Sequence, residues 1–142
     1  MVKQISVFLE NKAGRLASVT RTLGDAGINI RALSIADTSD FGILRLIVSD
    51  PDRAYAILKE AGFAVSETEV IAVSVPDTPG GLAAILEVMA EAGINIEYLY
   101  AFIGTRAENA LVIFKVEDPQ RAVKFFGERG ISFLRAEEVY AL

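Results

Sequence analysis

The chain has 142 residues, 52% of them hydrophobic, and no stretch long enough to cross a bilayer, so its apolar content must enter packed cores and an interface between subunits. A formal charge of −5 and a pI near 4.8 oppose a nucleic-acid backbone or an anionic membrane as the main partner. The chain has neither cysteine nor histidine, which removes disulfides, thiol chemistry, most zinc and haem sites and the usual general base at neutral pH; no metal, cofactor or catalytic residue is expected.

Ile5, Val7 and Leu9 alternate with Gln4, Ser6 and Glu10, as in a half-buried first strand, with Phe8 as the exception. Leu16, Val19, Leu23 and Ala26 then follow at helical spacing, and Gly27 stands where a left-handed residue closes the helix. Ile28 to Ala36 and Phe41 to Val48 read as a hairpin about a polar turn at Asp37-Thr38-Ser39-Asp40. Pro51 opens a second helix whose buried face is predicted to hold Ala54, Ile57, Leu58 and Ala61, with Gly62 at its stop. Phe63 to Val75 is then one extended run, with Glu67-Thr68-Glu69 as a joint too short to be a flexible linker.

From there the pattern starts again. Ala26-Gly27-Ile28-Asn29-Ile30 recurs as Ala92-Gly93-Ile94-Asn95-Ile96, offset by 66 positions (93 − 27), as are Gly14 and Gly80. Asp50-Pro51 matches Asp118-Pro119 at an offset of 68 (118 − 50), so the second copy carries two extra residues between its middle strands. Leu82, Ile85, Met89 and Ala92 repeat the first helix, and Phe125 and Phe126 stand on the second. Each copy reads strand, helix, strand, strand, helix, strand. The predicted fold is therefore α+β: two tandem ferredoxin-like βαββαβ units, residues 1–69 and 70–142, with antiparallel sheets and helices on one face. Phe8, Phe41 and Phe114 are read as core or interface residues.

The turn Glu10-Asn11-Lys12-Ala13-Gly14-Arg15-Leu16 resembles the ligand loop of the ACT domain, a small regulatory module that binds amino acids. So does Asp77-Thr78-Pro79-Gly80-Gly81-Leu82, and in both copies the loop is followed by the Gly-Ile-Asn-Ile motif of that family. The resemblance covers the whole chain as a tandem pair. It implies that Asn11, Asn29, Asp77 and Asn95 are the side chains best suited to meet a ligand. It also implies that units associate side by side, with ligand sites between them, and that the chain forms a homodimer.

The chemistry of such a loop follows from the helix it opens. The first amides of a helix lack internal partners and carry partial positive charge that attracts a carboxylate. A side-chain amide can accept from an α-ammonium group and donate to a carboxylate, as a zwitterion requires. An Asn or Asp ahead of a helix also serves as an ordinary cap, and Gly-x-Asn after one as an ordinary stop. Lys12, Arg15 and Arg31 align with Thr78, Gly81 and Glu97, so a carboxylate is expected to prefer the first loop, and Asp77 and Glu97 to suit an ammonium group.

The expected function is a stand-alone, cytoplasmic, non-enzymatic sensor that binds a small amino acid or a related carboxylated metabolite and regulates another protein allosterically. A ligand-free interaction module is the alternative. An enzyme built on Arg15 and Asn11, in the manner of small phosphatases of this strand order, lacks the supporting bases. An RNA-binding module around Phe41-Gly42-Ile43-Leu44 lacks the basic sheet that phosphate contact requires.

Overall fold

The structure is a computed structural model that describes residues 1–37, 40–103 and 109–142. Thr38 and Ser39 of the predicted turn lie outside the described residues. The chain folds as two compact units, one of Lys3–Thr68 with Tyr140–Leu142 and one of Met1–Val2 with Glu69–Val139, here the N-terminal and C-terminal units.

In the N-terminal unit, strand β1 (Val2–Glu10) is followed by helix α1 (Arg15–Asp25), strands β2 (Ile30–Asp37) and β3 (Phe41–Val48), helix α2 (Pro51–Glu60) and the early part of strand β4 (Ala64–Pro76). The strand order is β2-β3-β1-β4. β1 and β3 run antiparallel with Ile5 opposite Leu46 and Val7 opposite Leu44, so the alternating apolar residues share one face. On that face Ile5, Val7, Leu9, Leu44, Leu46 and Val48 pack with Val19 and Leu23 of α1 and Ala54 and Leu58 of α2. Both helices thus cover one side of the sheet.

The C-terminal unit repeats the plan with helix α3 (Gly81–Glu91), strands β5 (Ile96–Ala101) and β6 (Asn109–Val116), helix α4 (Pro119–Arg129) and strand β7 (Phe133–Leu134). The later residues of β4 pair with β6, Ile71 opposite Phe114 and Val73 opposite Val112, while β7 lies on the other side of β4. Ile71, Val73, Met89, Phe114, Ala122 and Phe126 form its core. The offset changes from 66 between β2 and β5 to 68 between β3 and β6 (96 − 30 and 109 − 41), so the extra pair falls in the second hairpin, as the sequence predicts. Among the described residues no helix is long and apolar enough to cross a membrane.

Several expectations need correction. Of the phenylalanines read as core or interface, Phe114 is fully buried, while Phe8 and Phe41 are 54% and 46% exposed with ring centroids 5.7 Å apart, which leaves only the interface half of that reading for them. Leu16 lies in the first turn of α1 and is 41% exposed, although its counterpart Leu82 packs partly against the second core. Ala61 ends α2 as its C-cap and is exposed, so the buried face of that helix stops at Leu58. Gln4 is fully buried despite its place in the polar register of β1, with Nε2 donating to the Ser6 hydroxyl at 3.2 Å. A short fifth helix, α5 (Ala136–Tyr140), follows β7.

Candidate functional site

The loop between β1 and α1 is built by backbone contacts. The Asn11 amide donates to the Asp40 carbonyl at 2.8 Å, the Lys12 amide to the Glu10 carbonyl at 2.9 Å and the Arg15 amide to the Lys12 carbonyl at 3.3 Å. Gly14 is the N-cap of α1 with φ 89°, and Gly80 is the N-cap of α3 with φ 83°. That left-handed conformation costs a residue with a Cβ about 1–2 kcal/mol, which accounts for glycine at both places. Neither helix receives a side-chain cap.

The other two long helices differ. Asp50 caps α2 by accepting from the Arg53 amide at 3.2 Å, and Asp118 caps α4 by accepting from the Arg121 amide at 3.1 Å. The same arginines reach back across each unit: Arg53 Nη1 donates to the Ala26 carbonyl at 2.7 Å and Arg121 Nη2 to the Ala92 carbonyl at 2.5 Å. The ends of α1 and α3 are thus satisfied by a duplicated Asp-Pro-x-Arg device, while their starts are left without side-chain caps. Sequence reading found the Asp-Pro pair and missed the arginine two residues after each proline, although its recurrence at an offset of 68 (121 − 53) was visible.

The cations of the first loop are engaged within it. Lys12 Nζ lies 3.0 Å from Glu10 Oε2 and Arg15 Nη2 lies 3.9 Å from Glu10 Oε1. The hydrogen bond from Lys12, then the charges of Lys12 and Arg15, hold the Glu10 carboxyl below its ordinary range. Arg31 and Glu97 fall at matching register breaks of β2 and β5, between Ile30 and Ala32 and between Ile96 and Tyr98. Arg31 Nη2 donates to the Tyr140 carbonyl at 3.1 Å, and Glu97 pairs with Lys115 at 2.8 Å. Both charges therefore have partners inside the protein.

The second loop differs in one residue with a local reason. A Cβ on Gly81 would run into the Pro76 carbonyl oxygen, so glycine is required there by the protein's own backbone. Gly81 donates its amide to the Thr78 carbonyl at 3.0 Å, and Asp77, Thr78 and Pro79 are exposed.

The predicted residues do not gather at one point within a unit. Asn11, Lys12, Ala13, Gly14, Arg15 and Leu16 stand at the start of α1, whereas Asn29 follows its end, where its amide donates to the Ser49 hydroxyl at 3.0 Å. An eleven-residue helix is about 16 Å long at 1.5 Å per residue. Asp77 and Asn95 are separated likewise by α3. Asn95 lines a hollow of about 300 Å³ with Glu117, Asp118 and Arg121. In the N-terminal unit a groove of about 420 Å³ is lined by Phe8, Glu10, Arg15, Ser18, Thr22 and Phe41 and by the turn Ala61–Ala64. Of the predicted loop residues, Arg15 lines it. Among the described residues no three His, Cys, Asp or Glu side chains are grouped to hold a metal ion.

A family model described as an ACT domain pair matches residues 1–142. Among solved structures, protein BT0572 from Bacteroides thetaiotaomicron is 42% identical with a TM-score of 0.93, over 99% of this chain and 96% of that one. The ligand-free regulatory subunit of aspartate kinase from Thermus thermophilus is 20% identical with a TM-score of 0.64, over 89% and 91% of the two chains. The corresponding regulatory subunit from Thermus flavus is 19% identical with a TM-score of 0.59, over 89% and 90%. The two regulatory subunits share the fold. No curated protein sequence gives a significant match.

Proposed function

Because the chain belongs to the family of paired ACT domains, we propose that this regulatory module, with units 1–69 and 70–142, senses a small amino acid or a related carboxylated metabolite. The ligand sits at the loop ahead of α1 and at its counterpart ahead of α3. Binding, not catalysis, is the activity, and a second protein reads it. The observation that supports this most is the contrast in helix starts: Asp50 and Asp118 cap α2 and α4, while α1 and α3 begin at left-handed glycines without side-chain caps. Helix starts that no side chain caps suit a carboxylate.

Asn11 and Asp77 border those amides and supply polar groups for an ammonium. Asn29 and Asn95 stand a helix length away, so a small ligand that touches either together with a loop draws them from different units, which a homodimer supplies in two copies.

A thermal-shift screen against the twenty amino acids and common 2-oxo acids tests the reading. A ligand at about 100 times its Kd adds about 2.7 kcal/mol, a rise of several degrees for a chain of this size. No rise with any of them, in protein shown by circular dichroism to be folded, overturns it in favour of a ligand-free interaction module. Lys12→Ala with Arg15→Ala then locates the carboxylate: undiminished binding excludes the first loop's cations from the contact.

A further inference from the structure

The groove beside α1 carries a feature that sensing of amino acids in general does not require. Phe8 and Phe41, adjacent on neighbouring strands, hold their rings 5.7 Å apart with a tilt of 44°, yet each is about half exposed. The arrangement is a favoured aromatic pairing, and a third apolar group placed on it is removed from water on contact. Residues of that size are normally buried, and an exposed aromatic pair in a concavity marks a surface that something apolar covers.

The same groove holds Arg15 and Glu10, whose charged atoms are 3.9 Å apart. A free amino acid presents its carboxylate and ammonium on either side of one carbon. It can therefore exchange the Arg15–Glu10 contact for two of its own, carboxylate to Arg15 and ammonium to Glu10. Both side chains are close to half exposed, so the pair opens without uncovering a buried charge. A volume of about 420 Å³ falls within the range of small-molecule sites, which runs from about 300 to 1,000 Å³.

The C-terminal unit supplies the internal comparison. The positions matching Phe8 and Phe41 are Ser74 and Asn109, at the same offsets of 66 and 68 (74 − 8 and 109 − 41). They line a groove of about 350 Å³ together with Leu111, Ser132, Phe133, Leu134 and Glu138. The aromatic pair of the first copy is thus replaced at its own positions by a hydroxyl and an amide, and Gly81 stands in place of the Arg15 cation, although the second groove keeps apolar side chains of its own.

Resting on the reading of the chain as an amino-acid sensor, we propose that the N-terminal unit selects amino acids with a large apolar side chain, held against Phe8 and Phe41, with Arg15 and Glu10 taking the carboxylate and ammonium. The C-terminal unit carries neither the aromatic pair nor the cation at the matching positions Ser74, Asn109 and Gly81 and is not assigned this selectivity.

Isothermal titration of the full chain with L-phenylalanine, L-leucine, L-serine and glycine tests the assignment. L-Phenylalanine and L-leucine are expected to bind about tenfold or more tightly than L-serine, the discrimination an apolar pocket gives. In Phe8→Ala with Phe41→Ala that ratio falls towards one. The half-exposed rings leave the core intact, and Phe41→Leu gives a second variant that keeps apolar volume and removes the ring. Its expected ratio is intermediate for L-leucine and reduced most for L-phenylalanine. A wild-type protein that binds serine and glycine as well as the large apolar amino acids, or a preference that survives the double substitution, overturns the assignment and leaves amino-acid sensing in place. Binding of none of the four probes overturns the assignment. Whether sensing fails with it is then decided by the wider thermal-shift screen.

Discussion

Gly81 and Gly14 are glycine for different reasons, and substitution separates them. At Gly81 an added Cβ meets the Pro76 carbonyl oxygen, so the loop ahead of α3 must move to admit it. Gly81→Ala is expected to cost about 1–3 kcal/mol, the range for overpacking against backbone that cannot yield. At Gly14 an added Cβ has open space and the cost is that of a left-handed φ of 89°, about 1–2 kcal/mol. Urea midpoints of the two variants measure both. Glu10 gives a third prediction at this scale. Its carboxyl titrates below the ordinary range because Lys12 donates to it and the Lys12 and Arg15 charges lie near. A lowered folded-state pKa means that the contact stabilises fully above the unfolded-state pKa and is lost as pH falls through the folded-state value. Wild-type and Glu10→Gln melting temperatures should therefore differ slightly near neutrality and converge in acid. A gap that widens as pH falls would show that the group is not held ionised by its cationic neighbours.

The helices show how far sequence reading reaches and where it stops. Capping chemistry predicts that Asp50→Ala and Asp118→Ala each cost about 1 kcal/mol, because each removes the acceptor of an orphan helix amide. Chemical denaturation tests both, and a loss below a few tenths would mean that water replaces the carboxylate. The helix start at Pro51 was legible because proline suits a first helical position, whereas Asp50 and Asp118 stood out only as a repeat and were not read as caps. The period of Val19 and Leu23, and of Ile5, Val7 and Leu9, was legible because burial sets it locally. Leu16 and Ala61 were misplaced because periodicity says which side of a helix turns inward but not how far the neighbouring strands extend beneath its first and last turns. Gln4 was misplaced because alternation distinguishes two faces of a strand and is silent on whether the second face is also covered. Strand β7, expected as the closing strand of the second copy, keeps only Phe133 and Leu134, with the Ser74 amide donating to the Ser132 carbonyl at 2.9 Å, so its place in the order was legible from the repeat and its bounds were not. The candidate site was legible as two loops from their glycines and Asn or Asp. The groove was not, since Phe8, Arg15 and the Ala61–Ala64 turn come together only through the fold.

Assembly is where these features become regulation. Each unit ends its sheet in an outer strand, β2 in one and β5 in the other, and these strands expose Leu33, Ile35 and Leu99. Unpaired strand edges that carry large apolar side chains are stable in solution when a second chain covers them. The proposed homodimer meets that need, and Ile35→Lys should disfavour it by placing a charge on the covered edge. Light scattering after size exclusion should then give twice the 15.3 kDa chain mass for wild type and about one chain for the variant. If a ligand held at the loop of α1 also touches Asn29 of a second copy, affinity and assembly are linked. Any factor by which ligand tightens the dimer must equal the factor by which the dimer tightens ligand binding, commonly a coupling of about 1–3 kcal/mol. Ile35→Lys should therefore bind its amino acid more weakly although no loop residue is altered, and saturating ligand should shift it back towards the dimer. A monomeric variant that binds with full affinity would confine the site to one copy, and the signal passed to a partner protein would then have to arise within a single unit.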